Sequence, residues 1–315
     1  MNRVIDVIAS GRSFLITAHV RLDGDAVGSE LALYHLLRTL GKEAVVYNQD
    51  PTPKAYQFLP GSNAIIHTLD AVDYYDAVFL LDCSEIDRVG DAAALIASAK
   101  QLVCIDHHIS NKGEIPISIV DPSASSVGEI LYRLIDGMGV TVTQEMAVNL
   151  YTAILTDTGS FRYSNTGKET FRIAGQLVGK GADPYGIAER IYESQPKEKI
   201  RLLAEVLRTL EFAWDGRISM LFLSRQVLRS VGTLAEYTEN LVDVARGIDG
   251  VEVAAFFMEM AENHYKVSLR SKGRISVERV AARFGGGGHF AASSCQLKGD
   301  LTEVRERILQ AVMTG

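Results

Sequence analysis

FLITAHVRLDGDAVGSELALYHLLRTLG, the stretch from Phe14 to Gly41, holds the alternation on which the fold turns. Phe14–Ala18 (FLITA) is a short apolar run that reads as a strand buried on both faces. After a polar segment, Ala26–Leu40 places apolar residues at helical spacing and stops at Gly41, a residue suited to ending a helix. The same alternation continues outward, with further strands expected at Glu43–Tyr47, Ala77–Leu81 (AVFLL) and Leu102–Ile105. Short apolar strands separated by amphipathic helices predict an α/β fold with a doubly wound, mainly parallel sheet. From Ser126 to about Ile191 the pattern is mostly helical. SVGEILYRLIDGMG ends in glycines, and TQEMAVNLYTAILTD opens with Thr143 as an N-cap.

Beyond that region the pattern changes. Pro196–Thr209 (PKEKIRLLAEVLRT) predicts a charged connecting helix. Leu210–Trp214 and Arg217–Leu223 flank an Asp-Gly pair and predict a hairpin. Val251–Met258 and Tyr265–Arg270 read as two more strands, and Leu301–Met313 as a closing helix. The expected organisation is a catalytic domain over 1–190, a linker helix over 191–210 and a smaller α/β domain over 211–315.

With 315 residues and 47% hydrophobic content, the chain can bury the cores of two domains. Its net charge of -7 argues against a long nucleic-acid footprint, which needs a broad basic face. A small anionic substrate remains compatible, because bound cations reverse the local field. The cysteines, Cys83, Cys104 and Cys295, are odd in number and lack metal-ligand spacing, as expected in a reducing compartment. Asp6 and Arg12 interrupt the apolar opening, and no uncharged run reaches membrane-spanning length. A cytoplasmic protein without membrane association is expected.

Four acidic or histidine clusters lie just beyond expected element ends. His19, Asp23 and Asp25 follow FLITA, Asp82 ends AVFLLD, Asp106-His107-His108 follow LVCI, and Asp157 ends AILTD. In a doubly wound sheet, groups beyond the carboxyl ends of strands meet in one crevice. Read singly, Asp23-Gly24-Asp25 is an ordinary turn, Asp82 a helix cap, and a lone histidine a satisfied core residue. Three consecutive polar residues after an apolar strand are harder to explain that way, since burying them is costly. Mixed imidazole and carboxylate groups without thiolate point to divalent ions such as manganese, iron, cobalt or zinc. Their number exceeds what one ion needs, so two ions sharing a carboxylate is the simplest arrangement.

HVRLDGDAVGS, LLDCSEIDRVG, CIDHHISN and ILTDTGSFRYSNT resemble the four motifs of the DHH phosphoesterase superfamily. VSLRSKGRISVERVAARFGGGGHFAASS is similar to its DHHA1 substrate-binding domain. Order, spacing and length match the short NrnA-like branch, the oligoribonuclease and pAp phosphatase group, better than the larger RecJ exonucleases. The resemblance implies that His19 and Asp23 hold one ion, that Asp25, His107 and Asp157 hold the other, and that Asp82 bridges them. His108 would face the scissile phosphate while Asp106 orients the histidines. Leu22 stands where the family usually has proline, and Ser294 where a glycine often closes the GGGGH signature.

The C-terminal segment has its own physical content. Lys266, Arg270, Lys272, Arg274, Arg279 and Arg283 face one acid, Glu278, upstream of the glycine run 285–288 and His289. A bare glycine run would be a flexible turn, but this context favours anion binding, since glycines let backbone N–H groups approach a phosphate. Arg270, Ser271, Gly286, Gly287, Gly288 and His289 are therefore expected at the substrate, with Asn111 and Arg162 able to reach it from the motif side. The expected chemistry is hydrolysis assisted by two divalent ions, manganese foremost, with the C-terminal domain closing over a short RNA or small nucleotide. The resemblance implies 5′-mononucleotide release and dephosphorylation of pAp. A cyclic dinucleotide such as c-di-AMP, or a linear dinucleotide, is the alternative substrate. A nucleotide sensor without catalysis is the alternative class, and homodimer formation is left open.

Overall fold

A computed structural model describes residues 1–72, 74–232, 235–238 and 241–314. They divide into two compact units, Met1–Ser194 and Gln195–Gly315. The first contains α1 (Asn2–Ser10), β1 (Ser13–Thr17), α2 (Gly24–Thr39), β2 (Glu43–Tyr47), β3 (Ile65–Ile66), β4 (Ala77–Leu81), α3 (Ala93–Ala97), β5 (Leu102–Asp106), β6 (Ile117–Val120), α4 (Val127–Gly137), α5 (Gln144–Asp157), α6 (Lys168–Gly179) and α7 (Pro184–Ala188). The strands form one sheet in the order β3-β2-β1-β4-β5-β6. Every pairing is parallel.

Side chains along the central strands alternate between two cores, which explains the unbroken apolar runs. Phe14, Ile16, Phe79, Leu81, Val103 and Ile105 pack with residues of α2, α4 and α5. Leu15, Val78 and Leu80 pack on the opposite face with Val72 and Ile96. Burial on both faces suits a parallel sheet covered by helices. Strand order reverses between β1 and β4, so their carboxyl ends border a natural crevice. Glycines bring α2, α4 and α5 together there: a Cβ on Gly28 would lie 2.5 Å from the Asn149 carbonyl oxygen, and one on Gly128 2.6 Å from Ala153 Cβ. The edge strands β3 and β6 and the helix α1 were not expected. Ile65–Ile66 and ISIV are short, and α1 announces itself only by Val4, Val7 and Ile8 on one buried face.

The second unit contains α8 (Lys197–Leu207), β7 (Glu211–Ala213), β8 (Ile218–Leu223), α9 (Arg225–Val231), α10 (Leu241–Arg246), β9 (Val253–Ala261), β10 (His264–Ser271), α11 (Val277–Ala282), β11 (Gly287–His289), β12 (Ala292–Lys298) and α12 (Leu301–Met313). Its sheet runs β11-β12-β10-β9-β8-β7, antiparallel except for the parallel pair β8 and β9. The expected hairpin is β7 and β8. The helix expected as a connector, α8, belongs to this unit, because Leu202 and Val206 are buried with Leu221, Leu223 and Phe256. Among the described residues, no helix is long and apolar enough to cross a membrane.

Candidate metal centre

The four clusters converge where the strand order reverses. His19 lies two residues beyond β1, Asp106 ends β5, Asp82 follows β4, and Asp157 ends α5. Asp23 caps α2, accepting from the Ala26 amide at 3.0 Å, and Asp25 is buried in that helix's first turn. Asp82 adopts a left-handed backbone, φ 51°, and donates its amide to the Ile105 carbonyl at 3.0 Å. Aspartate tolerates that conformation better than most residues.

Asp82 is the centre of the cluster. Its Oδ2 lies 3.3 Å from His19 Nε2, while its Oδ1 lies 3.6 Å from His107 Nε2 and 3.5 Å from His108 Nδ1. His19 Nε2 is also 3.8 Å from Asp23, and His107 Nε2 is 3.8 Å from Asp25 and 3.5 Å from Asp157. Three groups of ligand atoms are close enough together for a cation and share Asp82: one with His19 and Asp23, one with His107 and Asp25, and one with Asp106 and His108. Asp157 approaches the second through His107.

Each imidazole is aimed by its other nitrogen. His19 Nδ1 donates to the Val20 carbonyl at 2.9 Å and His107 Nδ1 to the Ala124 carbonyl at 3.2 Å, so each ring, once neutral, offers its Nε2 lone pair. Asp106 is hydrogen-bonded to the histidine pair. Its Oδ1 accepts from the amides of His107 (2.8 Å) and His108 (3.2 Å) and from His108 Nδ1 (2.7 Å). Its Oδ2 accepts from Asn111 Nδ2 at 2.7 Å. Asn111, expected at the substrate, donates its amide nitrogen to Asp106 and accepts from the Gly113 amide at 2.8 Å through its oxygen. Arg162 is exposed and donates Nε to the Gly159 carbonyl at 2.6 Å.

Electrostatics test whether a cation fits. Asp82 Oδ1 is buried and makes no hydrogen bond. Burial and the charges of Asp82 and Asp157 push the Asp25 carboxyl well above the usual carboxylate range. Burial raises Asp157 to about 7, against the pull of His107. Burial opposes protonation of His19, but the Asp82 hydrogen bond and the Asp23 charge outweigh it and raise its pKa to about 9. Burial likewise opposes protonation of His107, while Asp157, Asp82 and Asp25 raise it to about 9. Protons thus occupy the place of positive charge between crowded carboxylates, and a divalent cation supplies that charge with lone pairs already directed at it.

A sign follows from these values. Near neutral pH both imidazoles are protonated and must each release a proton to ligate. Manganese uptake is therefore expected to release the protons of both imidazoles together with those that the raised Asp25 and Asp157 carboxyls hold, and affinity to rise with pH toward about 9. Calorimetry in buffers of different ionisation enthalpy measures this; a heat independent of buffer would refute it.

In the second unit, Arg270, Ala292 and His289 stand in register across β10, β12 and β11. Two basic side chains thus flank one small residue on the same face of the sheet. The glycine run is not a free loop. A Cβ on Gly286 would lie 2.2 Å from the Ser294 carbonyl oxygen and one on Gly288 2.5 Å from that of Ala292, so both serve close strand pairing. Around Gly287 the Cβ position is open. Ser271 is buried, and its hydroxyl accepts from the Gly273 amide at 3.3 Å. The six-residue basic run is dispersed. Arg274 pairs with Glu252 at 3.2 Å, Lys272 donates to the Ile248 carbonyl at 2.8 Å, and Arg283 donates to Thr314 Oγ1 at 2.8 Å. Arg270 Nε is 3.9 Å from Asp243. Leu22, at the proline position of the motif, is buried in the first unit's core.

Sequence reading missed the supports of Asp25. Its carboxylate accepts from the amides of Val127 (2.7 Å) and Gly128 (3.0 Å) at the start of α4, and from Ser29 Oγ (2.9 Å). Ser126 and Glu129 have the spacing of a helix start, which could have located those amides but not their target.

Comparison with known proteins finds relatives over nearly the whole chain. The family model described as DHH family, N-terminal domain, matches residues 13–154, and that of the DHHA1 domain matches residues 226–314. The bifunctional oligoribonuclease and PAP phosphatase NrnA of Thermus thermophilus is 35% identical over 298 residues, which span 94% of this chain and 88% of that relative. The Bacillus subtilis protein of the same name is 29% identical over 93% of this chain and 92% of its own length. Among solved structures, an exopolyphosphatase-related protein from Bacteroides fragilis has a TM-score of 0.91 at 28% identity, covering 99% of this chain and 95% of that one.

Proposed function

This chain belongs to the DHH phosphoesterase family, and from that membership we propose that it hydrolyses short oligoribonucleotides to 5′-mononucleotides and dephosphorylates pAp. The observation that carries the reading is Asp82, whose two oxygens face two different imidazoles, all three side chains being buried. In this proposal His19 and Asp23 would hold one ion, Asp25, His107 and Asp157 would hold a second, and Asp82 would be shared between them. Manganese suits the mixed nitrogen and oxygen donors. When bound, the pair of ions supplies an activated water and neutralises charge on the phosphoryl oxygens.

The remaining roles fall to side chains. His108, fixed through Nδ1 by Asp106, meets a non-bridging phosphoryl oxygen and stabilises the charge that grows there. Arg162 contributes a second positive charge. In the second unit, Arg270 and His289 with the open backbone at Gly287 form a grip for a nucleotide phosphate. The three buried free cysteines suit a reducing cytoplasm.

The test is kcat/KM for pAp, a diribonucleotide and c-di-AMP, measured side by side with manganese. The proposal expects turnover of the first two to exceed that of the cyclic compound by at least about tenfold, or roughly 1.4 kcal/mol. Faster turnover of c-di-AMP would move the physiological substrate to cyclic dinucleotides. No turnover of any of them by protein carrying two ions would make the chain a sensor.

A further inference from the structure

One short segment governs several groups of the candidate centre. The Ala124 carbonyl accepts from His107 Nδ1 at 3.2 Å, and the amides of Val127 and Gly128 hold Asp25 at 2.7 and 3.0 Å. The segment is itself clamped from two sides. Ser125 Oγ donates to Glu129 Oε2 at 2.7 Å, and that buried carboxylate also accepts from Thr170 Oγ1 at 3.1 Å. From the other side, Asn165 Nδ2 donates to the Ser125 carbonyl at 3.0 Å.

The same Asn165 nitrogen lies 3.1 Å from the Asp157 carbonyl and 3.4 Å from Asp157 Oδ2. It reaches back because the chain reverses just beyond α5. Gly159, Ser160 and Phe161 all take left-handed backbone, with φ of 54°, 64° and 60°. Left-handed backbone at serine and phenylalanine is strained and persists only where the surroundings enforce it. Here the Phe161 ring does so, stacking on Phe171 at 5.3 Å and meeting the Tyr151 ring edge-on at 6.1 Å.

We propose that Asn165 is a positioning residue for the ion expected among Asp25, His107 and Asp157. Its amide joins the start of α4, which sets Asp25 and His107, to the end of α5, which carries Asp157. Asn165 is exposed, so water can replace its hydrogen bonds with little loss of stability. What water cannot replace is the fixed spacing between the two helix ends. The role is therefore geometric, and it rests on the two-ion reading above.

The experiment titrates metal-free full-length protein, wild type and Asn165→Ala, with manganese alone by calorimetry, and follows thermal denaturation of both metal-free forms. One of the two ions is expected to bind about tenfold more weakly in the variant, a size usual for lost supports of metal ligands. The other ion should keep its affinity, and the metal-free denaturation midpoint should stay in place. Unchanged affinity for both ions overturns the proposal. So does a lowered midpoint with both ions weakened together, which marks a general brace. A wild-type protein that binds one ion refutes the two-ion reading instead, and Asn165 is then judged on that ion: weakening in the variant supports the role and equal affinity overturns it.

Discussion

Asp82→Asn is expected to lower kcat/KM for a dinucleotide at least about a thousandfold, roughly 4 kcal/mol in the activation barrier, while the fold survives. Asn is the right substitution here. Asp82 sits at φ 51°, where Asn is tolerated and Ala is strained, and its backbone bond to Ile105 does not involve the side chain. The amide has nearly the shape of the carboxylate but one acceptor oxygen and no charge. It could not serve together the two ions proposed at His19 and at His107. Burial disfavours the Asp82 charge, yet the His19 hydrogen bond and the charge of His108 hold its pKa below the usual range, so the native group is a carboxylate at every working pH. The measurement pairs kinetics with manganese stoichiometry and circular dichroism. A variant within about tenfold of wild-type activity would sink the shared-carboxylate centre.

Much of the first unit was legible because its chemistry sits where its architecture must put it. FLITA, AVFLL and LVCID are apolar throughout since both faces of the parallel sheet are covered, and the polar residue that ends each run marks the crevice. His19, Asp82, Asp106, His107 and Asp157 could therefore be listed together from sequence although β1 and α5 lie far apart along the chain. The supports were another matter. Asp25 is held by the main-chain amides of Val127 and Gly128, and a main-chain donor leaves no residue-type signature. Asn165 is an ordinary polar residue until the left-handed turn at 159–161 folds it back. In the second unit, Gly286 and Gly288 look alike with Gly287 in sequence, yet the first two are needed for close strand approach and only Gly287 leaves room. Asn111 lies close to a motif in sequence, and the bond from its amide to Asp106 is a contact that such proximity does not reveal.

Efficiency on RNA is expected to fall steeply as the chain lengthens. A protein that tracks a long single strand needs a continuous basic groove and aromatic platforms for successive bases. This chain carries a net charge of -7 and one tryptophan. That tryptophan, Trp214, is covered by the Arg217 guanidinium at 3.7 Å. Several cations of the second unit are committed to acids: Arg217 and Arg274 to Glu252, Arg246 to Asp243, and Arg305 to Glu211. The phosphate grip proposed above is a short row, Arg270 and His289 beside Gly287, which is sized for one nucleotide phosphate and not for a strand. Each added nucleotide thus brings charge that the protein does not match. We expect kcat/KM to drop at least about tenfold between a dinucleotide and an oligomer of roughly twenty nucleotides. The comparison uses 5′-labelled RNAs of graded length at one salt concentration, because salt alters phosphate contacts and length preference together. Constant or rising efficiency along that ladder would replace a short-substrate hydrolase with a processive exonuclease, whose strand would need cations other than those paired with Glu252 and Asp243.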